Sequence, residues 1–172
     1  SKSKNRIELL EVIQNGITSG EIFETIDYKN QSEDKIKQFI YPILVNQLTN
    51  WIVDKKDLDP TLARSKAKSI LCWEGNVKTT VNNIHFAGTA NRPDMTLEYD
   101  GLNIAIEFKK GDRGSALREG FGQSLIYSTV FDFVIYLFID ISNDNRIKNG
   151  CTAITEQNFF QSLWDNFNIK FV

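Results

Sequence analysis

Two cysteines, one histidine, three prolines and ten glycines are all that 172 residues contain of the types that most often staple, ligate or break a chain. Cys72 and Cys151 lie far apart in sequence and His85 is the one further soft ligand, too few donors for a structural zinc site. Both thiols are read as buried and free, in a reducing compartment. Gly and Pro are too sparse for a collagen-like or low-complexity chain. Net charge is nearly absent as well: 20 Lys and Arg against 22 Asp and Glu leave −2. That balance names no partner, although a local basic patch still binds phosphates on a near-neutral protein. No apolar run approaches the ~20 residues of a membrane span, and Ser1-Lys2-Ser3-Lys4-Asn5 lacks the apolar core of a secretion signal. The expectation is a cytoplasmic protein with no membrane segment.

What is present is core material. Hydrophobic residues make up 41%, with twelve Phe, five Tyr and three Trp, enough for a single domain over 1–172. In the first third the apolar spacing is helical. Ile7, Leu10, Val12 and Ile13 form a short amphipathic stretch within 5–15, and a Gly-punctuated loop follows. The strongest helix starts at Ser32 as N-cap, with Glu33 and Asp34 in its first turn, and continues through Ile36, Phe39, Ile40, Ile43, Leu44, Leu48, Trp51 and Ile52. Pro42 inside that run should kink or break it. Asp59-Pro60 starts a third helix that reaches about Cys72.

From Val77 the spacing turns to alternation, which predicts strands at 77–86, 95–99, 102–109 and 133–139. A helix at 115–129 precedes the last of these, and a helix around 155–167 and a strand at 168–172 complete the chain. Residues 1–31 read as an N-terminal helical extension, 32–140 as the core, and 141–172 as a C-terminal helix and strand. This order predicts an α/β fold, a mixed sheet with helices on its faces.

The stretch from Arg92 to Lys109 carries the chemistry. Asp100-Gly101 between two alternating runs is a two-residue hairpin signal. With Tyr99 paired to Leu102, Leu97 faces Ile104 and Met95 faces Ile106 on an apolar side. On the other side Glu98 faces Asn103, Thr96 faces Ala105, and Asp94 faces Glu107. Directly opposed residues have Cβ atoms roughly 4.5–5.5 Å apart, and two full charges at about 5 Å repel by on the order of 3 kcal/mol at an effective dielectric near ~20. A divalent cation that prefers oxygen ligands, magnesium or manganese, would offset that repulsion. Lys109, on the same face, would partly neutralise the pair or act on a bound water. A solvated strand face with a salt bridge is the structural alternative. Glu-x-Lys by itself does not decide: ten Glu and fourteen Lys among 172 residues give about one match by chance. Glu33-Asp34-Lys35 is such a match, at a helix start where the Lys has no strand face to share.

Pro93-Asp94 on one strand and Glu107-Phe108-Lys109 on the next resemble the PD-(D/E)XK nuclease superfamily. Gln123-Ser124-Leu125-Ile126-Tyr127 on the following helix is similar to the Gln-x-x-x-Tyr motif of several of its branches, and a spacing of four places Gln123 and Tyr127 on one helix face. Tyr127 as core and Gln123 as surface is the plain alternative. Glu33 to Leu44 resembles the first helix of nuclease domains in type I restriction motor subunits, where a Glu near the helix start assists the metal site. Glu33, or else Asp34, is the matching residue, and an ordinary acidic helix start is the alternative. The resemblance covers Glu33 to about Asp140 and implies a restriction-endonuclease-like core in the order α-β-β-β-α-β. No helicase motor follows in this sequence, so the expectation is an isolated domain or a standalone relative.

That resemblance implies that Asp94 and Glu107 ligate one or two Mg2+ ions, with Mn2+ able to substitute, that Phe108 adds its backbone carbonyl, and that Glu33 assists. It implies that Lys109 positions the attacking water and stabilises transition-state charge, and that Gln123 and Tyr127 orient the site or the nucleic-acid backbone. Lys110, Arg113 and Arg118, just after the strand, would contact phosphates. The implied activity is hydrolysis of DNA phosphodiester bonds to 5′-phosphate and 3′-hydroxyl ends in defence against foreign DNA, by a homodimer or within a larger restriction complex. RNA cleavage of the cap-snatching type, or a catalytically silent module that binds nucleic acid or assembles with partners, are the competing readings. The Gln-x-x-x-Tyr pair points to DNA, and the joint presence of Asp94, Glu107 and Lys109 points to turnover. Lys55, Lys56, Arg64, Lys66 and Lys68 form a second basic cluster, read as a solvated helix face. His85 is read as a surface or satisfied histidine.

Overall fold

Asp100 and Gly101 turn the chain with φ of 48° and 74°, the two positive values that a type I′ hairpin turn requires. The computed structural model describes residues 2–75 and 80–172. From the N-terminus the elements are α1 (Lys4–Thr18), α2 (Gly20–Thr25), α3 (Glu33–Lys56), α4 (Pro60–Ile70), β1 (Leu71–Trp73), β2 (Ile84–Phe86), β3 (Thr89–Asn91), β4 (Met95–Tyr99) and β5 (Leu102–Gly111). There follow α5 (Gly114–Ser128), β6 (Phe133–Asp140), a short 3-10 turn, α6 (Arg146–Gly150), α7 (Ile154–Phe167) and β7 (Ile169–Phe171). Five strands make a mixed sheet in the order β1-β4-β5-β6-β7, antiparallel between β1 and β4 and parallel from β5 to β6 and from β6 to β7. With helices flanking this sheet the architecture is α/β. No helix among the described residues is long and apolar enough to cross a membrane.

Several local expectations change. The third helix stops at Ile70, because Leu71, Cys72 and Trp73 pair with Leu97, Thr96 and Met95 instead of adding another turn. The strand expected at 77–86 does not flank β4. Its residues 77–79 lie outside the described residues, and Ile84–Phe86 pairs with Thr89–Asn91 in a separate two-stranded ribbon that turns through Ala87 and Gly88. Alternation reveals a strand but not its partner, and the apolar Leu71 segment takes the place beside β4. Pro42 does not break α3, which runs from Glu33 to Lys56 through it. Proline fits helical φ and forfeits one backbone hydrogen bond, while Ile36 and Ile40 before it and Leu44, Leu48 and Ile52 after it are all buried.

The chain divides into two units, one comprising Ser1–Val81 with Met95–Leu102 and the other Asn82–Asp94 with Asn103–Val172. In the first, α1 and α4 pack on α3. Ser32 caps α3 by accepting the Lys35 N–H at 3.2 Å, and Asp59 caps α4 by accepting from Thr61 and Leu62 ahead of Pro60. Leu9, Leu10, Ile13 and Ile17 of α1 are buried, as is the i, i+4 row of α3. In the second, Ala105 of β5, Tyr127 of α5, Val134 of β6, Leu163 of α7 and Ile169 of β7 form one buried cluster. Phe121 extends it, meeting Tyr136 edge-on at 4.9 Å and packing near Phe160 and Phe171.

Candidate functional site

Successive side chains of β5 point to opposite faces. Ala105 lies in the cluster with Tyr127 of α5, so Glu107, two residues on, projects toward the same helix. Glu107 is buried at 3% exposure. Its countercharge is Lys109, on the same face, whose Nζ lies 3.7 Å from Glu107 Oε1 and 3.4 Å from Oε1 of Glu119 on α5. The ammonium thus stands between a buried carboxylate and an exposed one.

Helix α5 can sit this close for a local reason. Glu107 is in register with Tyr136 of β6, and Tyr136 donates its hydroxyl to the Leu117 carbonyl of α5 at 2.9 Å. A Cβ at Gly120 would collide with the Tyr136 ring, and one at Gly111 would come within 2.7 Å of Ala116 Cβ. Both glycines are therefore contact points between helix and sheet.

Asp94, half-buried just before β4, accepts the Phe108 N–H through Oδ2 at 2.8 Å. In an extended strand the N–H and C=O of one residue point to the same edge, so the Phe108 carbonyl faces the edge at which Asp94 sits. Burial first, then the carboxylates of Glu107 and Asp94, push the Tyr127 phenol far above its ordinary pKa. Both carboxylates are therefore near one hydroxyl. On the same helix Gln123 Oε1 and Ser124 Oγ are buried without a hydrogen-bond partner. Leaving such a group unmade costs about 1–3 kcal/mol, a cost that proteins carry mostly where a water, an ion or a ligand completes the group.

Asp94, Glu107, Lys109, Gln123 and Tyr127 all belong to the second unit, and its contacts bring Asp94, Glu107, Lys109 and Tyr127 together. Among the described residues no three His, Cys, Asp or Glu side chains gather as a metal cage. A magnesium ion is commonly held by one or two carboxylates with water and substrate phosphate completing its shell, and Asp94, Glu107 and the Phe108 carbonyl are a donor set of that kind. Lys110 is half-buried one residue before the end of β5, while Arg113 precedes α5 at 81% exposure with its Nε 3.8 Å from Asp112, and Arg118 is exposed on α5. Glu33 belongs to the first unit, where it opens α3 and lies 3.8 Å from Lys37 Nζ; Asp34 lies 3.2 Å from the same ammonium. His85 is exposed on β2, and Cys72 and Cys151 are free thiols that are half-buried and not fully buried as expected.

Glu119 joins this group from outside the sequence-derived set, and Ser124 lies on the same helical segment as Gln123 and Tyr127. Glu119, the partner of Lys109, stands four before Gln123 and eight before Tyr127, so helical spacing alone would have put it in their row. Ser124 is fully buried, and a lone serine in an apolar helix carries no sequence signal. Compared with known proteins, the chain matches no family model, no curated protein and no solved structure.

Proposed function

We propose that the protein is a metal-dependent nuclease that hydrolyses phosphodiester bonds, with DNA as substrate, built on a restriction-endonuclease-like core. The observation that carries this reading is the hydrogen bond from the Phe108 N–H to Asp94 Oδ2, which sets the Asp94 carboxylate against the Glu107-Phe108-Lys109 segment. The element order is compatible with it once β1 is taken in place of the strand expected at 77–86: α3 and α4, then β1, β4 and β5 of one sheet, then α5 and β6, with β2 and β3 as an inserted ribbon. The motif resemblance at Pro93-Asp94, Glu107-Phe108-Lys109 and Gln123 to Tyr127 supplies the substrate class.

A magnesium or manganese ion would polarise the scissile phosphate and lower the pKa of a bound water. Asp94, Glu107 and the Phe108 carbonyl would hold it. Lys109, with its ammonium anchored by Glu119, aligns the water and offsets negative charge that grows on the phosphate. Tyr127 stays protonated at every physiological pH and so serves as a donor beside the two carboxylates. Gln123 offers a buried amide oxygen to the same region, and Lys110, Arg113 and Arg118 hold substrate phosphates.

The test is nicking of supercoiled plasmid by purified protein with magnesium or manganese. Nicking that EDTA abolishes, and that Asp94→Ala and Lys109→Ala lose while keeping native circular dichroism, is the expected result. Equal nicking by those variants, or none on DNA, overturns the reading. Cleavage confined to RNA moves the substrate class.

A further inference from the structure

We propose that the first unit carries its own nucleic-acid backbone-binding surface, formed by α4 and the end of α3, with Lys56, Arg64, Lys66 and Lys68 as its phosphate contacts. The inference rests on the nucleic-acid reading above and assigns part of the substrate grip to a face outside the candidate site. Helix α4 presents Arg64, Lys66 and Lys68 to solvent and has no acidic residue; its one acid, Asp59, is the N-cap and is spent on the Thr61 and Leu62 amides. Arg64 and Lys68 are four apart, so like charges share one helix face, an arrangement that destabilises an isolated helix. Lys37 of α3 shows the contrasting solution, with its ammonium flanked by Glu33 and Asp34.

Two of the cations, Lys56 and Lys66, converge on an aromatic ring. Lys66 Nζ stands 5.1 Å from the Tyr99 ring centroid and Lys56 Nζ 5.9 Å from the same centroid, while Trp51 meets that ring edge-on at 5.2 Å. Tyr99 is buried at 7% exposure, so it acts as a fixed platform that orders two flexible ammonium stems. Arg64 is held by Nη1 donating to Asn46 Oδ1 at 2.6 Å, which leaves its other donors to a ligand. Lys56 Nζ lies 3.6 Å from Asp100. Three exposed cations on a helix that holds no acid of its own, on a protein of net charge −2, are the local basic footprint expected for a polyanion of regularly spaced phosphates. The hydroxyls of Thr61 and Ser65, both exposed on α4, add donors suited to phosphate oxygens.

The experiment uses the full chain in EDTA, so that cleavage does not interfere. Binding of a fluorescein-labelled random-sequence DNA duplex is followed by anisotropy between 50 and 200 mM salt. Lys66→Glu/Lys68→Glu is expected to weaken binding at least tenfold at low salt, and Lys66→Ala/Lys68→Ala to lower the slope of log affinity against log salt by about one for each contact removed, with unchanged circular dichroism. Affinity and slope equal to wild type overturn the proposal, as does absence of any DNA binding by wild type or displacement of the DNA by polyglutamate at equal charge concentration. The two readings fail separately. Loss of binding in these variants with no cleavage under any metal keeps the surface and ends the nuclease reading; unaltered binding with active nicking does the reverse.

Discussion

The Asp94 carboxylate and the Phe108 amide are joined across the open end of a hairpin: Oδ2 accepts the N–H at 2.8 Å. The contact does two jobs. It satisfies a backbone donor just beyond the start of β4, where Asp94 takes the place of a strand partner, and it sets the acid beside Glu107.

Asp94→Asn and Asp94→Ala should therefore part company. Asparagine keeps an oxygen that accepts the Phe108 N–H, so urea unfolding is expected to stay within about 1 kcal/mol of wild type, while alanine leaves a donor unsatisfied and costs about 1–3 kcal/mol. Both remove the charge, and both are expected to reduce plasmid nicking by roughly a hundredfold or more. Wild-type nicking by the Asn variant, which keeps the hydrogen bond and loses only the charge, would remove Asp94 from the metal-binding role.

Tyr127 gives a stability prediction with a definite sign. Its folded-state pKa is raised above the ordinary 10.0 by burial, Glu107 and Asp94, so the folded chain keeps its proton where the unfolded chain releases it. The contribution is complete below pH ~10 and is lost as pH rises above that value. In urea titrations from pH 8 to 11, wild type should lose stability above pH 10 faster than Tyr127→Phe. At pH 7 the Phe variant removes a buried hydroxyl beside Glu107 and is expected to change stability by no more than about 1 kcal/mol, while nicking falls.

Asp140, at the end of β6, runs the other way. Burial alone would raise its pKa, but the backbone N–H groups of Lys148 and Ser142, each at 2.8 Å from the carboxylate, outweigh it and hold the acid below its usual range. That contribution is present above the ordinary carboxylate pKa of 3.8 and is lost as pH falls through the folded value. Acid titration of wild type against Asp140→Asn should show the extra loss in wild type alone, below about pH 4.

Gly120→Ala tests the seat of α5. The added methyl meets the Tyr136 ring, and overpacking of this kind costs about 1–3 kcal/mol. Thermal unfolding should report the loss, and nicking should fall with it, because the same helix carries Glu119, Gln123 and Tyr127. Gly122→Ala is the control: its Cβ meets nothing within 4 Å, and stability should hold or rise slightly.

Parts of this arrangement are readable from residues alone. Asp100-Gly101 declares its turn because those residue types tolerate the positive φ that a tight hairpin demands. Ser32 and Asp59 declare helix starts through side chains that accept nearby amides, and the spacing of Gln123 and Tyr127 places them on one face. Other parts are not. Leu71-Cys72-Trp73 is as compatible with one more helical turn as with a strand, and only the free edge of β4 selects the strand. Pro42 looks like a break until the buried residues on both sides of it are counted as holding the helix. Glu119 reads as a surface acid until Lys109 is found 3.4 Å away.

The sequence by itself determined the periodicities, the caps, the hairpin turn and the residue types able to bind a cation or a phosphate, because φ/ψ preference and helix or strand spacing are properties of neighbours in the chain. Tertiary structure alone decided which strand flanks β4, that Asp94 accepts from Phe108, that Lys109 is shared between Glu107 and Glu119, and that Gly120 admits Tyr136. These are contacts between residues distant in sequence or carried on different elements, and competition for burial and for hydrogen-bond partners settles them only once the chain is folded.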